Sequence, residues 1–441
     1  MADDSPTIRI PTPQAPPPGP PSDPPTVPPS TPPRRPRRLV SILFTAVVIV
    51  AATVIASTFL PRMPGLDGRS PSPSVAIVPS PTGTAGTTPD PTASVAPSVS
   101  LPPPPSARPP GDYLLMSKSD FMALPTGGPA WESLVAWADE PPGAPDLRDQ
   151  DRRHGVMTLA GALVYARTGD PAYGERVTAQ IMDAIGTERA GANNSILSLG
   201  RQLGAYVLAA DFVGLAGADD ERFRAWLHGI RTRELGGHGR WTSLVGTHED
   251  APNNWGSFTG ASRIAASLYL GDTADVQRAA LVLKGFLGDR TAWDRFQSVE
   301  GAASWACDPA RYTPVNPPCA KGGIDLDGAI VRDIDRGGNR KWPPGRDGIG
   351  YTLESLQGLS LQAELLTVNG YGDVWTWSDF ALRRAAGIVT RSGAAGGLTW
   401  NRSEVSYHVP WLLNARYGLD LPTEPAGIGR VFGYTDWLYG S

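Results

Sequence analysis

From about residue 113 onward, apolar positions recur three and four residues apart, the spacing of one face of a helix. Val156–Arg167 carries Leu159, Leu163 and Val164 in this register and stops at Thr168-Gly169-Asp170-Pro171. Tyr173–Ile185 restarts the pattern, Leu197–Leu215 is a long apolar helix, and Glu221–Arg231 is amphipathic through Phe223, Trp226 and Leu227. Further helices are predicted from Asn253, over Thr273–Leu287, Tyr351–Val368, Val374–Thr390 and Ser406–Tyr417. Residues 291–350 read as irregular, and strand signals are confined to 397–401 and 429–434.

One local pattern recurs. Tyr165-Ala-Arg-Thr-Gly-Asp-Pro-Ala-Tyr173, Tyr269-Leu-Gly-Asp-Thr-Ala-Asp275 and Leu366-Thr-Val-Asn-Gly-Tyr-Gly-Asp373 each read as helix, glycine turn, helix. Repeated helical hairpins predict an α/α array. The expected fold class is therefore all-α, with about ten helices closing into an incomplete (α/α) toroid.

The N-terminal quarter follows different rules. Residues 1–38 are rich in Pro, Ser and Thr, cannot bury a core, and are expected to be disordered. They end in the basic cluster Arg34, Arg35, Arg37 and Arg38. Residues 39–60 are apolar and uncharged, long enough as a helix of roughly 33 Å to cross a bilayer. The length favours an uncleaved signal-anchor over a cleaved signal peptide. The cationic flank predicts a cytoplasmic N-terminus and an external C-terminal domain at the cell membrane. Residues 61–111 are Pro, Ser, Thr, Ala and Val, the composition of an extended stalk. That leaves 112–441 as one folded domain. All 13 Trp lie within it.

Charge narrows the partners. The net charge is −4 with no basic stripe in the folded part, which argues against nucleic acid. Cys307 and Cys319 fit no zinc motif and, on the oxidising side of a membrane, are expected to form a disulfide. No metal and no cofactor is expected.

The candidate chemistry begins at Thr247-His248-Glu249-Asp250-Ala-Pro-Asn253-Asn254-Trp255, a polar cluster leading into an apolar helix. Free N–H groups at such a helix start suit an anion. Asn253 or Asn254 also reads as a plain N-cap. Downstream lie Asp327-Gly328, Arg336 and Tyr351 at the head of another apolar helix. Taken alone, Arg336 reads equally as a surface ion-pair residue, Tyr351 as a packed helix-face residue and His248 as a plain loop residue. Trp241, Trp255, Trp305 and Trp342 flank these loops and read either as core or as platforms for sugar rings.

The order Asn253-Asn254, Asp327-Gly328, Arg336, Tyr351 resembles that of a family of alginate lyases and related polysaccharide lyases, over roughly residues 115–420. The resemblance implies an (α/α) toroid and β-elimination at a uronic acid. Asn253 or Asn254 and Arg336 would then neutralise the sugar carboxylate, and Tyr351 would serve as general acid and as base if its pKa is lowered. The family's histidine after the two asparagines is Trp255 here, so His248 or His408 is the alternative base. The gap between Arg336 and Tyr351 is lengthened by Gly337-Gly-Asn-Arg-Lys-Trp-Pro-Pro-Gly-Arg346, which makes Arg340 or Arg346 an alternative carboxylate binder. Trp255, Arg346 and His408 complete the expected substrate-binding set. Two other functions fit the same chain. A glycoside hydrolase would pair Asp250 with Asp325 or Asp327, and a tethered binder would hold glycan without cleaving it.

Overall fold

The computed structural model describes residues 108–188, 195–236, 239–297, 302–337, 340–400, 404–425 and 428–440. The chain divides into two units, Met1–Pro91 and Thr92–Ser441, and everything described lies in the second. The disordered tail, the membrane span and nearly all of the stalk expected from the sequence lie outside the described residues.

Helices carry this unit. In chain order they are α1 (Lys118–Ala123), α2 (Pro129–Asp139), α3 (His154–Thr168), α4 (Pro171–Ala184), α5 (Ser195–Val213), α6 (Gly217–Ile230) and α7 (Leu244–Asp250). Then come α8 (Asn254–Leu270), α9 (Thr273–Phe286), α10 (Val331–Ile334), α11 (Arg346–Val368), α12 (Trp377–Ala394), α13 (Glu404–Tyr417) and α14 (Thr435–Tyr439). Among the described residues the only strands are β1 (Ala320–Lys321) and β2 (Ile324–Asp325), paired antiparallel with Ala320 opposite Asp325. The strands expected near 397–401 and 429–434 are not formed: 397–400 and 429–434 have no ladder partner. Their apolar residues Trp400, Val431 and Phe432 are buried against helices instead.

The recurring turns explain the hairpins. Gly169, Gly271 and Gly370 all adopt positive φ, 74°, 73° and 87°, where glycine meets no Cβ penalty. Asp170 accepts from the Ala172 N–H at 3.0 Å, and Asp272 from that of Asp275 at 3.1 Å, so each aspartate caps the returning helix. One helix of each pair is buried nearly all round. α3, α5, α8, α11 and α13 contact one another in that succession, and α4, α9 and α12 pack outside α3, α8 and α11. α5 is long and apolar enough to span a membrane, but it is a core helix here, enclosed by α3 and α8.

Two glycines set how close the inner helices come. A Cβ on Gly200 of α5 would meet the Thr259 backbone nitrogen at 3.0 Å, and one on Gly358 of α11 would meet the Ser257 carbonyl carbon at 2.5 Å. α8 is thus gripped from both sides by backbone-to-backbone approach, and Gln362 of α11 donates to Ser257 O at 2.8 Å. This close packing fixes the relative positions of Arg201, Asn254 and Glu354, each within a turn or two of those contacts. The C-terminal segment returns to the start of the domain: Tyr434 donates to Val156 O and Trp437 to Pro125 O, each at 2.8 Å.

Cys307 and Cys319 form the expected disulfide, with Cα atoms 6.1 Å apart. It pins the irregular loop between α9 and α10. Asn316 closes the same loop through Trp305 O at 2.8 Å and Leu326 O at 3.1 Å.

Candidate functional site

A cleft of about 1120 Å³ opens at the N-terminal ends of α5, α8 and α11 and beside the residues leading into α3. These helices therefore run the same way, and their positive dipole ends converge on the opening. Five arginines line it, Arg201, Arg332, Arg336, Arg346 and Arg430, against four carboxylates, Asp151, Asp335, Asp347 and Glu354. Two of the arginines are committed. Arg430 pairs with Asp151 at 3.2 Å, and buried Arg201 pairs with Glu354. Arg332, Arg336 and Arg346 make no ion pair among the described residues, so their charge is available to an anion.

The cleft gathers residues far apart in sequence. Asn254 and Trp255 enter from the first turn of α8, and Arg346 and Tyr351 from the first turns of α11. Arg336, on a single 3₁₀ turn (Asp335–Gly337), lays its guanidinium carbon 4.4 Å from the Tyr351 ring centroid. Trp255 packs against Trp241 with centroids 5.8 Å apart, and both border the cleft.

Beneath this surface is a polar network centred on Asn254. Its Nδ2 donates to Glu354 Oε2 at 2.7 Å, and Arg201 donates to the same oxygen. A carboxylate only accepts, which fixes the orientation of the Asn254 amide. Its backbone N–H donates to Asp333 Oδ1 at 3.3 Å, and the Ser355 hydroxyl donates to Asp333 Oδ2. Burial pushes the Asp333 carboxyl up to about 7, against the hydrogen bond from Ser355 and the charge of Arg336.

That shift has a thermodynamic consequence. A carboxyl that titrates near 7 when folded and near 3.8 when unfolded holds its proton longer in the native state. The stability tied to that proton is fully present below about pH 4 and is lost as the pH rises towards 7. Asp333→Asn keeps an acceptor for the Asn254 N–H and removes the titration. Unfolding midpoints measured across this window should fall less with rising pH in the variant than in the wild type. Parallel curves would show that Asp333 ionises normally.

Other residues picked from the sequence lie elsewhere. Asn253 is the N-cap of α8: its Oδ1 accepts from the Trp255 N–H at 3.1 Å, and it is wholly buried and not part of the cleft lining. His248 is no loop residue. It sits in α7, buried against Gly260 and Gln362, with Nδ1 3.4 Å from Arg263 Nη1. Burial and then the Arg263 charge hold its imidazole well below the usual histidine range, so it stays neutral in the core rather than serving the cleft. His408 is buried in α13 against Phe432, centroids 5.5 Å apart, and does not line the cleft either. Arg340 donates to Ser304 O at 3.2 Å, and Trp305 is a core residue. The acids expected of a hydrolase are also committed away from the cleft. Asp250 pairs with Arg240 and Arg295, Asp325 with Arg391, and Asp327 with Arg384.

Sequence reasoning missed Glu354, Arg201, Asp333, Arg332 and Arg430. Two of these carried a signal. Glu354 lies three residues after Tyr351, on the same helix face. Arg201 is the only charge in the apolar run Leu197–Ala210, where a cation needs a partner. No protein-family profile matches the chain, and no curated protein matches it.

Proposed function

We propose that this chain is an extracytoplasmic polysaccharide lyase, anchored by residues 39–60, that cleaves a uronate-containing glycan by β-elimination. The observation that carries this reading is the convergence of Asn254, Arg336, Arg346 and Tyr351 in one arginine-lined cleft. The alternation of buried inner helices and outer partners supports an incomplete (α/α) toroid, the architecture that the resemblance to alginate lyases implies.

The chemistry asks for three things, and the cleft offers a group for each. A uronate carboxylate must be neutralised so that the C5 proton becomes acidic. Arg336 and Arg346 bring guanidinium groups that make no ion pair among the described residues, and the helix N-termini add their field. The departing glycosidic oxygen needs a proton, and Tyr351 has a hydroxyl on a ring that Arg336 covers. A base must take the C5 proton. Sugar rings need a flat apolar surface, and Trp241 and Trp255 border the cleft. The Asn254 amide gives one N–H to Glu354 and is itself buried at the cleft floor, so it holds that carboxylate in place beneath the substrate.

The hydrolase reading loses its named acid pairs, since Asp250, Asp325 and Asp327 do not line the cleft. The test is the purified full chain incubated with alginate, polygalacturonate and glucuronan. New ultraviolet absorbance from an unsaturated uronate on at least one polymer is the expected result. Tight binding with no absorbance on any of them would make the protein a tethered glycan binder.

A further inference from the structure

The elimination needs a base, and the histidines named from the sequence supply none at the cleft. His248 and His408 are buried outside its lining, and Trp255 follows Asn254. Among the cleft side chains capable of proton transfer, which include Asp151, Asp335 and Asp347, Tyr351 and Glu354 lie one turn apart on α11 and project from one face. The two oxygens of Glu354 are in different situations. Oε2 accepts from both Arg201 and Asn254 Nδ2, whereas Oε1 accepts no hydrogen bond from any described residue. The side chain is 18% exposed, so it is held in place yet reaches the cleft. An ion pair that only joined α5 to α11 would need neither the third contact, to Asn254, nor an oxygen left open.

The geometry points to Glu354 as the catalytic base, an inference that rests on the reading of the cleft as a lyase site. Arg201 and Asn254 anchor one oxygen of the carboxylate. The other takes the C5 proton of a uronate whose own carboxylate lies toward Arg336. The C5–H electron pair becomes the C4–C5 double bond, and the C4–O4 bond breaks. O4 takes the proton of the Tyr351 hydroxyl. Glu354 then gives its proton to cleft water, and water reprotonates Tyr351. No water is added across the glycosidic bond, and nothing is oxidised or reduced.

The experiment follows C5 deuterium incorporation in D₂O alongside the ultraviolet assay, with the full chain and the same three polymers. Tyr351→Phe retains the base and lacks the acid, so it should exchange C5–H for deuterium while eliminating poorly. Glu354→Gln should do neither, with turnover at least about 10²-fold down and KM changed far less, and Glu354→Asp should recover part of the rate. Glu354→Gln working at the wild-type rate would overturn the assignment. So would a Tyr351→Phe protein that no longer exchanges, since Tyr351 would then be the base. If Glu354→Gln does not fold, the Tyr351→Phe exchange decides alone. A wild-type chain silent on all three polymers is a different failure: it refutes the elimination itself, and the base with it.

Discussion

Replacing Tyr351 by phenylalanine is expected to lower turnover by about 10²–10⁴-fold, the usual cost of losing one positioned acid or base. Glycan binding should stay nearly intact. The ring beneath Arg336 is kept, and it packs in the free and the bound protein alike. Only the hydroxyl, which acts on a proton in the transition state, is lost, and an interaction made only there affects kcat rather than affinity. Asn254→Ala should behave differently. It releases Glu354 from one of its two anchors and leaves a gap beneath the cleft floor, so binding and rate should fall together. Steady-state kinetics with calorimetric binding separates the two patterns. A Tyr351→Phe protein with unimpaired kcat would remove Tyr351 from the mechanism.

The second large effect concerns stability. Arg263 is fully buried in α8, where a guanidinium needs anionic partners. It donates to Asp275 Oδ1 at 2.6 Å and to Glu249 Oε1 at 3.2 Å. Asp275 also accepts from Arg231 at 3.1 Å, and Glu249 from Arg278 at 2.6 Å and Arg295 at 3.1 Å. The network holds Asp275 down to about 2, through hydrogen bonds and charge from Arg263 that outweigh its burial. Arg263→Met removes the central cation and leaves two carboxylates partly uncompensated. The expected cost is about 3–5 kcal/mol, the range for breaking a buried ion pair from one side. Denaturant unfolding should show a lower midpoint, whereas an unchanged midpoint would mean the network contributes nothing net.

This network explains where sequence reading succeeded and where it went astray. The helices were legible because their signals are local: apolar spacing, the left-handed glycines at 169, 271 and 370, and the capping aspartates. The cluster Thr247–Asp250 looked like chemistry because it packs His, Glu and Asp side by side. Its partners Arg263, Arg278 and Arg295 lie 14 to 46 residues away in sequence, and only the fold shows that they consume Glu249 and Asp250. Asn253 and Asn254 illustrate the same point at adjacent positions. One caps the helix and the other faces the cleft, a distinction set by 100° of helix rotation. The joining of Arg336 and Tyr351 was expected only through resemblance, since no spacing rule places a loop arginine over a ring 15 residues later. Glu354 escaped notice because an acid within an apolar helix reads as ordinary until Arg201 and Asn254 are seen to hold it.

The most direct test of the elimination is the mass balance of cleavage. A purified oligouronide is digested with the full chain, and substrate and products are weighed by mass spectrometry. Elimination moves a proton without adding water, so the two fragments should together weigh what the substrate weighed, with the unsaturated residue at the new non-reducing end. Fragments that together exceed the substrate by one water would mean hydrolysis and would contradict the assignment of this cleft as a lyase site.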